Sequence, residues 1–91
     1  MIRSFRHKGL RRLWARDDAS GLRPDLAERC RGRLSALHAA ERLEDLNVPG
    51  FGLHALRGKP RRHAIAVNGP WRITFEWADG EASAVDLEQY H

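Results

Sequence analysis

The sequence predicts an α+β domain: two N-terminal helices packed on one face of an antiparallel β-sheet meander. Three observations predict it. Apolar residues recur at helical spacing through the first 40 or so residues and at strand spacing after residue 51. Turn signals, NGP and ADG, separate the last strand-like runs. A chain of 91 residues builds one domain with a modest core, so residues 1–91 are read as a single unit.

Taken in order, residues 2–5 (IRSF) read as a short first strand. Leu10, Leu13 and Trp14 then fall with Asp17 at helical spacing, and Arg11, Arg12 and Arg16 fill much of the remaining helix surface. Residues 18–21 end this helix, with Gly21 as the expected C-terminal cap, because glycine takes the left-handed conformation at little cost. Pro24 suits the first turn of a second helix. Leu26, Cys30, Leu34 and Leu37 form its apolar stripe, and Arg29, Arg31 and Arg33 lie mostly off it. Residues 41–51 read as a short helical turn and a loop broken at Pro49-Gly50. Four strands follow, over residues 51–58, 63–69, 71–77 and 82–88. Asn68-Gly69 is the hairpin signal between the second and third, and ADGE the tight turn between the third and fourth. WRITFEW is the clearest strand: Trp71, Ile73, Phe75 and Trp77 point to one face, Arg72, Thr74 and Glu76 to the other.

Composition narrows the function classes. With 42% hydrophobic and 31% charged residues, the chain is of ordinary soluble globular type. No apolar run approaches the roughly 20 residues of a membrane helix, and the basic N-terminus lacks the apolar stretch of a secretory signal. A single cysteine, Cys30, excludes an internal disulfide and a cysteine zinc cluster. The setting expected is cytoplasmic. Charge is uneven: residues 1–62 hold 15 basic groups against 7 acids (+8), and residues 63–91 hold 1 against 5 (−4). Such a gradient favours an anionic partner, nucleic acid or acidic protein.

Arg72 is the most informative residue. Mid-strand, it pairs with an acid such as Glu76 or Glu88 across the sheet, or it faces an anionic ligand to which its planar fork is matched. A second basic cluster, His54, Arg57, Lys59, Arg61 and Arg62, lines one rim of the predicted sheet and suits phosphate contacts. No histidine pair has HExxH spacing, no serine lies in GxSxG, and no glycine-rich phosphate loop is present; neither a metal nor a cofactor is expected. One catalytic set remains. Metal-free RNA cleavage needs a base for the 2′-hydroxyl, an acid for the leaving oxygen, and cations for the crowded charge. His91 suits base or acid, Tyr90 suits orientation of the hydroxyl or donation to phosphate, and Arg72 and Arg57 suit the charge.

MIRSFRHKGLRRLW, LNVPGFGLHALRG, AVNGPWRITFEW and the terminal DLEQYH together resemble the HigB-like branch of the RelE/ParE toxin superfamily, end to end and in order. The resemblance implies a microbial-RNase-like α+β fold and the toxin half of a type II toxin–antitoxin pair. It implies metal-independent cleavage of messenger RNA in the ribosomal A site. The implied partner is a HigA-like antitoxin with a helix-turn-helix, through which operator DNA is met only indirectly; no membrane is involved. It carries catalytic roles to Arg72, Tyr90 and His91, and puts Arg57 where the family commonly has lysine. Arginine cannot give up its proton, so Arg57 is a clamp only. Gln89 stands where relatives often have aspartate, and can hydrogen-bond RNA but not move a proton. Two other classes stay open: a ParE-like toxin acting on a protein such as gyrase, and a degenerate basic module kept for its antitoxin.

Overall fold

The structure, a computed structural model, describes residues 1–89; Tyr90 and His91 lie outside the described residues. Its elements are helices α1 (Lys8–Arg16) and α2 (Pro24–Ala39), a 3-10 turn (Leu43–Leu46), and strands β1 (His54–Leu56), β2 (Arg62–Asn68), β3 (Trp71–Ala78) and β4 (Glu81–Gln89). The strands form one antiparallel sheet in the order β1-β2-β3-β4. Leu10 and Leu13 of α1 and Leu26, Cys30, Leu34 and Leu37 of α2 bury against Ile65, Ile73, Phe75 and Val85. This is the α+β meander that the periodicity predicts.

The helices are capped by residues whose roles differ from the sequence reading. At α1, His7 is the N-cap, its Nδ1 accepting the Leu10 N–H at 3.1 Å. That helix ends at Asp17, with φ 55, whose left-handed turn hands the Asp17 and Asp18 amides back to Leu13 and Arg12 carbonyls. The cap is therefore Asp17 and not Gly21. Gly21 has another use: α1 crosses the following loop so closely that a Cβ on Gly9 would sit 2.4 Å from the Gly21 carbonyl oxygen. Pro24 opens α2 as expected. Cys30 lies within the α2 stripe, where burial pushes its thiol up to about 11 and leaves it unreactive near neutral pH.

Two of the arginines read as off-stripe close the core. β1 spans three residues against the eight expected, so it leaves the far end of β2 without a ladder partner. The loop and α2 satisfy that end instead. Ala66 N–H donates to Phe51 O at 2.6 Å, Arg33 Nε to Ala66 O at 2.9 Å, and Arg29 Nη1 to Val67 O at 3.5 Å. Arg33 also stacks over the Phe51 ring at 4.4 Å. The register of β2 on β3 also shifts here, between Ala66 and Asn68.

Turn chemistry sets the rest. Asn68 pairs with Trp71, so the loop is Gly69-Pro70, one residue later than the Asn-Gly signal. Positive φ at Gly69 (54°) with proline next gives a II′ hairpin, since I′ needs positive φ at both positions. Asp79 and Gly80, at φ 53° and 76°, make the I′ loop between β3 and β4. In β4, Ala84 takes φ 50° at a bulge where the register slips opposite Phe75. The N-terminal segment closes that edge in parallel through bridges Ile2–Ala82 and Phe5–Val85. Ser4 Oγ accepts the bulge amide of Ala84 at 2.9 Å. The first strand read in IRSF is thus two separate bridges, parted by the bulge.

Two predictions follow from this packing. Gly9→Ala forces backbone apart and costs about 1–3 kcal/mol, whereas Gly32→Ala, with open space around it on α2, gains about 0.8–1 kcal/mol from helix propensity; urea midpoints check both signs. His63 lies against Phe75, ring centroids 5.9 Å apart, and its pKa is lowered by burial first and by Arg61 second. The unfolded chain, with an ordinary histidine near about 6.5, then takes up the proton first. Stability present above that value is lost as pH falls through it toward the lowered folded value. His63→Gln should lose less stability than the natural chain between pH 7.5 and 5.5, measured by urea unfolding.

Candidate nucleic-acid interface

Residues paired across strands share a face of the sheet. One row reads Ala66–Arg72–Glu88, and the next His54–Ala64–Thr74–Asp86. The alternate row Ile65–Ile73–Leu87 belongs to the core beneath the helices. The sheet therefore presents Arg72, Thr74, Asp86, Glu88 and His54 on the face away from α1 and α2. Arg62, two residues before Ala64, reaches over the same face.

Among the described residues, Arg62, Thr74 and Glu88 are joined across that face. Arg62 Nη1 donates to Glu88 Oε1 at 2.6 Å and lies 3.4 Å from Thr74 Oγ1; the Thr74 hydroxyl donates to the same Glu88 oxygen at 3.0 Å. Thr74 is wholly buried, and both side chains of the ion pair are about three-quarters so, at 25% and 27% exposure. In surroundings this shielded, the bond is stronger than an exposed pair.

Arg72 has a different environment. Its Nη1 donates to Gly69 O at 2.6 Å and Trp71 O at 2.9 Å, which folds the guanidinium onto the β2–β3 hairpin. Glu88 is its register partner, yet that carboxylate holds Arg62, and among the described residues no acid forms an ion pair with Arg72. Of the two readings of Arg72, the cross-strand pair with Glu76 or Glu88 is not the one found. A cation whose Nη1 is fixed by carbonyls, with charge uncompensated by a described acid, suits an incoming anion.

The remaining sequence candidates divide by position. His54 is exposed, and its Nδ1–H donates to Gly52 O at 3.0 Å, leaving Nε2 outward. Arg57, Lys59 and Arg61 stand exposed in the β1–β2 connection, adjoining Arg62. Gln89 pairs with Trp71, in the row away from Arg72. Tyr90 and His91 lie outside the described residues. No group of three histidine, cysteine, aspartate or glutamate side chains is spaced to hold a metal among the described residues.

Sequence reasoning placed Glu88 and Thr74 on the Arg72 face but missed that they join Arg62. The alternation that turns Glu88 away from Gln89 also turns it toward Arg72. An open groove of about 610 Å³ along α1, lined by Lys8, Arg11, Arg12, Ala15 and Arg16, touches none of the sheet residues.

Residues 3–91 of the chain match the family described as the RelE-like toxin HigB of type II toxin–antitoxin systems. Over 92 aligned positions, covering 100% of both chains, it is 37% identical to Endoribonuclease HigB of Proteus vulgaris. Both the resemblance in the motifs and the two-helix, four-stranded architecture agree with that match. The chain belongs to the HigB-like family of RelE-like toxins, the toxin component of type II toxin–antitoxin systems.

Proposed function

We propose that this toxin is an endoribonuclease that halts translation by cutting messenger RNA in the ribosomal A site, in the cytoplasm. The observation that carries the reading is Arg72: a backbone-anchored guanidinium, unpaired with any described acid, on the sheet face away from the helices. Full-length similarity to a protein named an endoribonuclease supports it.

Cleavage by the RNA's own 2′-hydroxyl forms a bond from O2′ to phosphorus and breaks the bond from phosphorus to O5′. A base takes the 2′-hydroxyl proton and an acid protonates the departing 5′ oxygen, leaving a 2′,3′-cyclic phosphate and a 5′-hydroxyl. Arg72 offsets the charge that gathers on the phosphate oxygens in the transition state, and Arg57, exposed in the β1–β2 connection, supplies a further cation for the RNA. His91 serves as the proton-transfer group and Tyr90 orients the 2′-hydroxyl. His54, Lys59, Arg61 and Arg62 contact the RNA chain; Gln89, expected from the sequence to join them, stands in the Trp71 row on the other face. The partner that silences the toxin is a HigA-like antitoxin whose helix-turn-helix binds the operator.

Mapping 5′ ends of a transcript on purified translating ribosomes tests this. The natural chain cuts within the A-site codon. Arg72→Ala lowers single-turnover cutting by roughly 10²–10³-fold, and His91→Ala by about 10²–10⁴-fold. Growth arrest without cut transcripts would instead favour a protein target, and cutting that survives both substitutions would reject these roles.

A further inference from the structure

We propose that Glu88 is a positioning residue for the RNA-binding face, acting through Arg62; the inference rests on the endonuclease reading above. The ion pair spans from β2 to β4 across β3, so it joins three strands at one point. Thr74 beneath it is the wholly buried polar residue of the described chain, and its hydroxyl donates to the oxygen that Arg62 also reaches. A buried hydroxyl so placed gives Glu88 Oε1 one preferred position, and the 2.6 Å bond gives Arg62 Nη1 another. The long arginine side chain is thereby held over the sheet before any substrate arrives. Glu88 Oε1 already accepts hydrogen bonds from both Arg62 and Thr74. Its use is to fix a cation, at the cost of part of that cation's charge.

Two measurements decide this. The first needs no activity. In ¹⁵N spectra of the arginine side chains, Arg62 should show slow rotation about its Nε–Cζ bond in the natural chain and averaged signals in Glu88→Gln. The second is cutting on translating ribosomes. Glu88→Gln and Arg62→Gln should each lower kcat/KM roughly tenfold, mostly through KM, and the double variant should be no worse than either alone, as for residues that act as a unit. Thr74→Val, which keeps shape but loses the hydroxyl, should move the same way, and Thr74→Ser should restore cutting. A Glu88→Gln protein that keeps Arg62 rigid, or cuts as well as the natural chain, overturns the proposal. So does a loss in kcat far beyond that of Arg62→Gln with a flattened acid limb of the pH profile, which would make Glu88 the base. A rigid Arg62 in a natural chain that cuts no transcript overturns the endonuclease reading, and the positioning role with it.

Discussion

Everything in this molecule is arranged around β3, which is buried on both sides by unlike surroundings. Toward the helices it offers Ile73 and Phe75, both wholly buried in the leucine-rich core. Away from them it offers Thr74, buried beneath the Arg62–Glu88 pair. A strand has period two, so a slip of one residue would put Thr74 in the core and Phe75 under the ion pair. That slip would bury an unsatisfied hydroxyl in the core and take the Thr74 donor away from Glu88. The register is therefore specified from both faces, and with it the position of Arg72.

The edges of the sheet repeat that economy of irregularity. Where β1 stops short, α2 supplies arginines to the exposed carbonyls of β2. Where β4 bulges at Ala84, the N-terminal segment supplies a hydroxyl. These side chains are charged or polar and yet belong to the frame. They explain why a chain with a net charge of +4 need not devote all its cations to RNA. Arg31 likewise is taken up by Asp17 and Glu28. The sheet-face and β1–β2 loop cations, Arg72 foremost, are what remain for an anion on that side.

Much of this was legible in the residues. The helix stripes, the alternation of WRITFEW and the Asp-Gly turn depend on local spacing, and the structure follows them. The misreadings share a cause, which is that tertiary contact chose among locally similar options. Gly21 looks like a helix cap, but its lack of a side chain serves the crossing with Gly9. Asn68-Gly69 looks like the hairpin loop, but the bulge at Val67 shifts the frame by one residue. Glu88 was read only as a cross-strand partner for Arg72. Its value emerges only when β2 and β4 are seen to flank β3, bringing Arg62 within reach. Sequence alone could name Arg72, but not that its register partner would be held by another arginine.

The central claim is that messenger RNA lies on the sheet face opposite the helices. Photo-crosslinking tests it most directly. A benzophenone amino acid is placed at Asp86, in the Thr74 row, or at Ala15, on the floor of the α1 groove. Each protein is added to ribosomes programmed with a messenger carrying a 2′-deoxy residue at the A-site codon, which cannot be cut. The account predicts crosslinks to the messenger from position 86 and none from position 15. Messenger crosslinks from position 15 alone would contradict it.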